Sequence, residues 1–533
     1  MRSVSLLLAF ALLGCSTHDD GDTGSGGSPP ARGGSGGTVD AGGSALQGGG
    51  ATEGGAGEGG SGGAQIAGNE PVPTGASYFI APSGDDANDC EAAKSIDAPK
   101  ATFASAWSCL APGDALIVRD GVYDQDMSPP PEKAGTEGNV IIVQAEHDGG
   151  VHVTQGLGLR GNAHLAFLGM KITGDTNAIG VVSNGTGATA HHIGFYRVGF
   201  ECTETVSDDA CLTLSDGTHH VLVQDAWGSG GGRYMILVYG GPGGSPPNTT
   251  CDFNVFRRVV LRQGPHTSSG GNPQAGIAIY YGSDNLIENV IVIDSVPNSD
   301  SSNSAFYLTG HAAPPVTSGN RFFGDLALNN QGIGWYLDHN GTGSNNELRD
   351  SVIWGSQEGI ALYADGICDD NIVDHVTVGA SEGDGLWNGC IGSTITSSIF
   401  VDNGGSGIHP GSEGTIAEED WNLFFANGEG PVSDGNLGAG DQSADPELAY
   451  LPRIEAGSAC SGAGEGGSDC GGSLRHRYEN GALTNDALWP WPNQARLQQE
   501  MCSAAGVTSG FCAAPSLTEY VWGYLGNPVP ASF

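Results

Sequence analysis

A short motif recurs along the middle of the chain: an asparagine, an apolar residue two positions later, and a second apolar residue four positions after that. Its clearest copies begin at Asn254, Asn285, Asn346 and Asn371, and less regular copies begin at His164, His192, His220, Asn320 and Ser393. The copies lie 22 to 35 residues apart. Each is rich in β-branched residues and bounded by Gly, Asn and Asp, so a coil contains strands and turns without a crossover helix. Repeats of this length predict a solenoid.

A second strand type alternates with the first and follows the pattern small, apolar, any, apolar. Its copies are residues 211–215, 276–280, 305–309, 334–338, 359–363 and 385–387. Two strand types that alternate through about nine coils predict two long parallel sheets around one continuous core, with unpaired edges only at the ends.

The segment before the repeats begins with Tyr78-Phe79-Ile80-Ala81-Pro82-Ser83-Gly84 and continues with an amphipathic stretch over residues 101–110. Pro112-Gly113-Asp114, a short apolar run and Gly121-Val122-Tyr123 follow. This segment resembles the opening of secreted right-handed parallel β-helix proteins, including pectate-lyase-like and alginate-lyase-like families. The resemblance is close over residues 77–125 and general to about residue 450. It implies an all-β fold, a right-handed parallel β-helix with a short N-terminal helical cap and an irregular C-terminal cap.

The N-terminal residues predict export. Arg2 precedes a short apolar run that ends in Leu12-Leu13-Gly14-Cys15, which resembles the lipobox of bacterial lipoproteins. The resemblance implies a signal peptide over 1–14, a lipid on Cys15 and, because Ser16 follows, the outer membrane, with the protein surface-exposed or periplasmic. Residues 15–73 are rich in Gly and Ser and predict a disordered linker. The remaining boundaries are 74–455 for the β-helix and 456–533 for a C-terminal cap that contains disulfides.

Charge and cysteine content restrict the partners and the compartment. The chain has 60 acidic residues against 19 Lys and Arg, which disfavours nucleic acid as a partner because phosphate contacts need basic patches. The expected partner is a polysaccharide, bound by a monomer. Ten of the cysteines form close sequence pairs, which predict disulfides in an oxidising compartment: Cys90/Cys109, Cys202/Cys211, Cys368/Cys390, Cys460/Cys470 and Cys502/Cys512. Cys251 is left over.

The second strand type carries an aromatic residue at outward positions on successive coils. These residues are Tyr239, Tyr280, Tyr307, Tyr336, Tyr363 and Trp387. At about 4.8 Å per strand they would form a stripe roughly 25 Å long, close to one sugar ring per coil. The stripe predicts a surface that binds a glycan chain. The alternative is that the rings stack on one another beneath loops and stabilise the helix.

Polar residues near the ends of the same strands are candidates for the chemistry of β-elimination on a uronate, which needs a cation, a base and an acid. Asp216, Asp338 and Asp365 are the candidate ligands for Ca²⁺. Arg262, Arg233 and His339 are the candidate bases, Tyr280 and Tyr336 the candidate acids, and His311 a further substrate contact. No spacing singles out one set, and each of these residues has the alternative role of a solvated turn residue.

Three functional hypotheses follow. The first is a surface-anchored polysaccharide lyase, and the second is a non-catalytic glycan-binding or adhesion protein. The third is a hydrolase, because Asp208-Asp209 is similar to the paired carboxylates of polygalacturonases, although Ala210 separates the pair from Cys211 and the Arg-x-Lys of that family is missing. A further row at the fourth position after each Asn, namely Arg258, Asn289, Asp350 and His375, is interpreted as the bend between two strands rather than a catalytic row.

Overall fold

The repeats form three parallel sheets rather than the two expected from the sequence. The computed structural model describes residues 70–205, 209–241, 249–264, 273–296, 303–310, 317–338, 343–363, 368–412, 414–433, 435, 437–503 and 509–533. Within these residues the chain visits sheets 1, 2 and 3 in turn, and each strand pairs in parallel with its counterpart one coil later. The architecture is that of a right-handed parallel β-helix, as the sequence predicts.

The strands of the three sheets have the following bounds. Sheet 1 contains Ser77–Ile80, Ala115–Val118, Ile141–Ala145, Ala163–Leu168, His191–Tyr196, His219–Gln224, Val255–Arg257, Leu286–Glu288, Arg321–Phe323, Glu347–Arg349, Ile372–Asp374, Ser393–Thr396 and Ile416–Asp420. Sheet 2 contains Gly121–Tyr123, Val151–Val153, Lys171–Gly174, Gly199–Cys202, Trp227–Gly230, Val260–Gln263, Ile291–Ile293, Leu326–Leu328, Val352–Trp354, Thr377–Gly379, Ile399–Val401 and Leu423–Phe425. Sheet 3 contains Leu157–Arg160, Ile179–Val182, Ala210–Ser215, Tyr234–Tyr239, Ala275–Tyr280, Ser304–Thr309, Ile333–Leu337, Glu358–Leu362, Leu386–Asn388, Ser406–Pro410 and Gly430–Val432.

The third sheet arises because the asparagine motif spans a corner. Its first apolar residue lies in sheet 1 and its second in sheet 2. One of the residues between them adopts a left-handed backbone in each copy: φ is 51° at Arg258, 52° at Asn289, 50° at Asp350 and 52° at His375. The interpretation of these four residues as a bend is confirmed. The expectation of two sheets was wrong because two short strands separated by one left-handed residue look like a single strand in the sequence.

The asparagines themselves form a buried ladder along the corner before sheet 1. Each side chain donates to the Oδ1 of the next: Asn254 to Asn285 at 2.9 Å, Asn285 to Asn320 at 3.0 Å, Asn320 to Asn346 at 3.0 Å and Asn346 to Asn371 at 3.2 Å. Buried amides are stable only when hydrogen-bonded, and a stack of identical amides satisfies this requirement in every coil. This explains why the motif begins with asparagine.

A short helix covers the first coil. Helix α1, Phe103–Trp107, begins at Thr102, whose side chain accepts a hydrogen bond from the backbone N–H of Ser105. Phe103 and Trp107 are buried in the interior of the β-helix. The predicted N-terminal helical cap is therefore present, and a 3₁₀ turn, Ala92–Lys94, precedes it.

The five predicted disulfides are present, each between sequence neighbours: Cys90–Cys109, Cys202–Cys211, Cys368–Cys390, Cys460–Cys470 and Cys502–Cys512. Cys251 is a free thiol in the core, and burial raises its pKa to about 12.

The C-terminal segment runs back along the outer face of sheet 2, and its hairpin lies against sheet 1 and the corner between the two sheets. It contains a hairpin of His476–Glu479 and Ala482–Ala487, 3₁₀ turns Glu465–Gly467 and Gly510–Ala513, helix α2 (Gln494–Met501) and helix α3 (Leu517–Trp522). Trp489, Trp491 and Trp522 pack in one cluster with apolar residues of sheet 2. Strands such as Ile291–Ile293 are apolar on both faces, so this sheet needs a cover on its outer side.

Two adjacent arginines, Arg257 and Arg258, hold this segment in place. Arg257 donates to Glu288 at 2.7 Å and to Asn480 at 2.8 Å, and both Arg257 and Glu288 are buried. Arg258 pairs with Asp225 at 2.6 Å and with Glu479 at 3.3 Å. These two side chains are therefore structural, and neither is one of the candidate bases, Arg233 and Arg262.

The described part of the chain starts within the expected linker. Glu70 forms an ion pair with Arg197, and residues 70–73 lie beside the first strands of sheet 1. The signal peptide, Cys15 and the rest of the linker lie outside the described residues. Among the described residues, no helix combines the length and apolarity needed to cross a membrane.

Candidate functional site

The outer face of sheet 3 presents three rows of side chains. The central row is Leu237, Ala278, Tyr307, Tyr336, Ala361, Trp387 and His409. One flanking row contains Tyr234, Ala275, Ser304, Ile333 and Glu358, and the other contains Ser215, Tyr239, Tyr280 and Thr309. The aromatic side chains pack in a cluster separate from the interior core.

The middle of this face is closed. Tyr280 is 6% exposed, Tyr307 2%, and Tyr336 3%. Their ring centroids follow one another at 5.4 Å along the sheet, with Tyr234 5.9 Å from Tyr280. These rings therefore stack and stabilise the helix, and the expectation that they form an open glycan stripe was wrong at these three positions.

The carboxylate of Asp338 accepts hydrogen bonds from the hydroxyl groups of this buried region. Tyr307 donates to its Oδ2 at 2.7 Å, Thr309 to the same oxygen at 3.1 Å, and Tyr336 to Oδ1 at 3.1 Å. The hydroxyl groups of Tyr280 and Tyr234 form a hydrogen bond with each other at 2.7 Å. Tyr234, Tyr280, Tyr307, Tyr336 and Asp338 are named the tyrosine–aspartate cluster below.

Burial changes the acidity of these phenols. Burial raises the pKa of Tyr280, against the opposing charge of Arg233. Burial also raises the pKa of Tyr307, and the neighbouring Tyr280 and Asp338 raise it further. Phenols that are both inaccessible and weakly acidic do not suit the role of proton donor to a polysaccharide.

The two described arginine candidates lie on different faces. The guanidinium of Arg233 lies 4.9 Å from the ring centroid of Tyr234, and its Nε donates to the carbonyl of Pro273 at 3.0 Å. Arg262 lies in sheet 2 and lines a cleft of about 670 Å³ with Asp294 and Glu382. Arg262 therefore does not meet the tyrosines with which the lyase hypothesis grouped it.

The candidate calcium ligands do not converge. Asp216 follows the strand Ala210–Ser215, whereas Asp338 follows Ile333–Leu337, four strands further along sheet 3. At about 4.8 Å per strand they are roughly 19 Å apart, far more than one Ca²⁺ coordination shell spans. Asp338 is moreover occupied by three hydroxyl donors. The described residues therefore do not fit the expected calcium site. Asp365, His311, His339 and Asp208 lie outside the described residues.

The C-terminal end of the same face brings together two carboxylates and a histidine from consecutive coils. Glu358 Oε1 accepts a hydrogen bond from the backbone N–H of Asp384 at 3.1 Å. Asp384 Oδ2 lies 3.0 Å from Nδ1 of His409, and its Oδ1 accepts from the N–H of Ser406 at 2.6 Å. Asp384 is thus fixed from two sides and orients the imidazole.

The electrostatics of this end distinguish the two carboxylates. Burial, together with the charge of Asp384, raises the pKa of Glu358 to about 7. Burial and the charges of Glu358 and Asp384 also raise the pKa of Tyr363 to about 12. A carboxylic acid that titrates near neutral pH beside a second carboxylate is the arrangement used for general acid–base catalysis.

Two partly exposed aromatic rings flank these groups. The centroids of Tyr363 and Trp387 are 3.9 Å apart, with an angle of 42° between the rings. Both residues are intermediate in exposure, in contrast to Tyr280, Tyr307 and Tyr336. Glu358, Tyr363, Asp384, Trp387 and His409 are named the acid–aromatic cluster.

Sequence reasoning identified Tyr363 and Trp387 and missed the other three residues. The strand pattern begins at Gly359 and Gly385, so the acidic residue before each glycine falls outside it. Glu358 and Asp384 are nevertheless 26 residues apart, the same step that pairs Ile360 with Leu386, and this spacing is the signal that would have placed them side by side. His409 follows Trp387 by 22 residues and lies opposite it in the next strand.

Comparison with protein-family models found no match, and comparison with curated protein sequences found none either. Among solved structures, the chain is similar to the pectate lyase Pel9A, with 18% identity, coverage of 75% of this chain and 96% of that chain, and a TM-score of 0.40. It is also similar to the PL6 family alginate lyase AlyGC, with 14% identity, coverage of 75% of this chain but only 57% of that chain, and a TM-score of 0.41. A GH136 lacto-N-biosidase from Eubacterium ramulus matches at 13% identity over 69% of this chain and 67% of that chain, with a TM-score of 0.36. The fold assignment rests on the strand order of the three sheets, and the likeness does not extend to activity.

Proposed function

We propose that the protein is an enzyme that cleaves a polysaccharide at the acid–aromatic cluster, with hydrolysis as the reaction. The observation that carries the proposal is the pairing of two partly exposed carboxyl groups, Glu358 and Asp384, from neighbouring coils, where burial and the charge of Asp384 raise the pKa of Glu358 to about 7. At neutral pH a large fraction of Glu358 is protonated and is able to give a proton to a glycosidic oxygen. Asp384 supplies the second carboxyl group that glycoside hydrolysis requires.

The neighbouring side chains support the same reaction. His409 is held by Asp384 and lies beside Trp387 in the central row. Tyr363 and Trp387 offer apolar ring surface on which a sugar ring would stack. General acid–base assistance by a positioned carboxyl group contributes about 10²–10⁴-fold to a reaction rate. We assign this contribution to Glu358.

The charge of the cluster favours a neutral glycan over a uronate. Glu358 and Asp384 lie next to each other, and the chain as a whole has a formal net charge of −41. A uronate chain would meet repulsion at this end unless cations reversed the local field. A substrate of neutral sugars is therefore the expected class.

Polysaccharide lyase activity, the hypothesis favoured by the sequence, is the second candidate. It is supported by Arg233, the one described cation near the tyrosine–aspartate cluster, whose charge lowers the pKa of Tyr280. Such an arginine would neutralise a uronate carboxylate beside a tyrosine acid. Because Tyr280 is buried, this site is less accessible than the acid–aromatic cluster.

The test is incubation of the full chain with a panel of neutral and uronate-containing polysaccharides, with calcium and with a chelator. New reducing ends and the ultraviolet absorbance of unsaturated uronates are followed together. Hydrolysis predicts reducing ends without absorbance, lost in Glu358→Gln and retained in the control Glu382→Gln, an exposed glutamate in the adjacent turn. A parallel rise in absorbance would establish the lyase instead. Silence of the wild type across the panel would contradict both reactions and favour the glycan-binding hypothesis.

A lipid anchor on the outer membrane is proposed from the lipobox-like sequence alone. Cys15 would carry the lipid, and the Gly- and Ser-rich residues that follow would hold the folded unit away from the membrane. Metabolic labelling with a palmitate analogue and membrane fractionation are expected to mark the wild type and not Cys15→Ser. Equal labelling of both proteins would refute the anchor.

A further inference from the structure

Five histidines lie together where three consecutive coils enter sheet 1, far along the helix from the acid–aromatic cluster. They are His164, His191, His192, His219 and His220. The imidazoles stack in two columns: His191 on His219 at 5.2 Å and His192 on His220 at 4.8 Å, each with 6° between the rings. His164 extends the second column, 4.8 Å from His192.

The backbone explains only part of this arrangement. His164, His192 and His220 occupy a corner with φ of 52°, 54° and 55°. In later coils the same corner also has positive φ and is occupied by Phe253, Asp284, Gly319, Asn345, Asp370 and Gly392. Glycine, asparagine and aspartate tolerate this conformation best. The corner therefore requires a residue that tolerates positive φ, but it does not require an imidazole. His191 and His219 lie in extended strands, where the backbone places no such demand on the residue.

The nitrogen atoms are close enough to share a ligand. Nδ1 of His191 lies 2.8 Å from Nδ1 of His192, and the pair His219 and His220 repeats this distance one coil later. One ligand nitrogen each from His164, His191 and His192 lies within 4.8 Å of the other two. A tetrahedral zinc with metal–nitrogen distances of about 2.0–2.1 Å needs nitrogens about 3.4 Å apart, which small side-chain rotations reach.

The protonation state suits a metal ligand. Burial lowers the pKa of all five histidines, and repulsion by neighbouring histidines lowers it further at His191, His192 and His219, with values of about 4 for His192 and His219. The charge of Glu137 acts in the opposite direction on His164. At neutral pH the rings are neutral, which is the form that coordinates metal ions.

We propose that His164, His191 and His192 bind a divalent ion of the late first-row metals, such as Zn²⁺, Cu²⁺ or Ni²⁺, with a fourth position open to water. Imidazole ligands suit these ions, whereas calcium and magnesium prefer oxygen. The site is independent of the proposed function, because it lies on a different sheet and shares no residue with the acid–aromatic cluster.

The test is binding of Zn²⁺ alone to the full chain, measured by calorimetry and by the shift of the thermal unfolding temperature. The chain carries His147→Asn, because Asp120, Glu146 and His147 are a second, exposed grouping among the described residues. We expect one tight Zn²⁺ per chain and an unfolding temperature that rises with Zn²⁺, since a ligand that binds only the folded state stabilises it.

The decisive variant is His192→Asn, because asparagine tolerates the left-handed backbone at this position. Loss of an outer-shell partner weakens metal sites by about 10–100-fold, so loss of a direct ligand should weaken Zn²⁺ binding at least tenfold. The matched control is His375→Asn, which changes a single histidine with a similar left-handed φ, 52° against 54° at His192, at another corner. His191→Gln provides a second loss variant in an extended strand.

For Cu²⁺, nitrogen hyperfine coupling in the electron paramagnetic resonance spectrum is expected in the wild type and reduced in His192→Asn. Two results would overturn the proposal. One is Zn²⁺ binding of the wild type no tighter than that of His192→Asn, with both proteins folded. The other is equal loss in the His375→Asn control, which would indicate adventitious binding to dispersed histidines.

Discussion

The middle and the C-terminal end of the outer face of sheet 3 are built on the same rows and serve different purposes. In the middle, Tyr280, Tyr307 and Tyr336 are buried and direct their hydroxyls to one another and to Asp338. At the end, Tyr363 and Trp387 remain partly exposed beside Glu358 and Asp384. One repeating pattern therefore produces a structural cluster in some coils and a candidate site in others. The exposure of the side chains distinguishes the structural cluster from the candidate site, whereas the repeat pattern is common to both.

The largest expected effect separates the two regions by activity. Glu358→Gln removes the proton donor while keeping the shape of the side chain, so kcat/KM on the hydrolysed polysaccharide should fall by about 10²–10⁴-fold. Steady-state kinetics with the substrate identified by the panel measures this. The assignment of catalysis to the C-terminal end of sheet 3 is wrong if Glu358→Gln keeps wild-type activity and a substitution in the tyrosine–aspartate cluster abolishes activity without changing stability.

The second effect is on stability and belongs to the middle of the sheet. Asp338→Ala leaves the buried hydroxyls of Tyr307, Tyr336 and Thr309 without their acceptor, which should lower the free energy of unfolding by about 3 kcal/mol. Urea denaturation followed by fluorescence measures the change. Asp216→Asn, in a half-buried turn with positive φ, is the control and should change stability little. An unchanged midpoint for Asp338→Ala would mean that the cluster does not support the fold.

The third effect is on binding. Trp387→Ala removes the larger of the two partly exposed rings, Tyr363 and Trp387. Loss of this stacking surface should raise KM about tenfold, equivalent to about 1.4 kcal/mol. The free energy of unfolding should change much less than in Asp338→Ala, because Trp387 is only partly buried. Isothermal titration with substrate fragments checks the affinity. A fall in kcat without a change in affinity would place Trp387 outside the binding surface.

The smallest effect sharpens the account of the buried cluster. Tyr307→Phe deletes one hydroxyl and keeps the ring stack, so stability should fall by only about 1 kcal/mol, and activity should not change. Urea denaturation followed by fluorescence measures this change in stability. A loss of activity in Tyr307→Phe would transfer the chemistry to the middle of the sheet and revive the lyase hypothesis.

The repeats predicted a solenoid and the close cysteine pairs predicted the disulfides, because both depend on local patterns. The right-handed β-helix and its N-terminal helical cap were implied by the family resemblance of residues 77–125. Left-handed corner residues such as Asn289 were recognised, but the number of sheets was missed because one bent segment looked like one strand. Burial of Tyr307 was not predictable, because alternation shows that a side chain leaves the core and not whether anything covers it. Glu358 and Asp384 were missed because they precede the glycines at which the strand pattern was taken to begin. Their partnership depends on register between coils.

The most direct test of the central claim combines the pH dependence of kcat/KM for the wild type with the pKa of Glu358 in the wild type and in Asp384→Asn, measured by nuclear magnetic resonance of the side-chain carboxyl group. If Glu358 is the general acid, activity falls as the pH rises through about 7, where Glu358 loses its proton. Removing the charge of Asp384 should lower the pKa of Glu358, whether or not Asp384→Asn retains activity. An alkaline limb that is missing in the wild type, or a pKa of Glu358 that does not fall in Asp384→Asn, would contradict the assignment of the chemistry to this end of sheet 3.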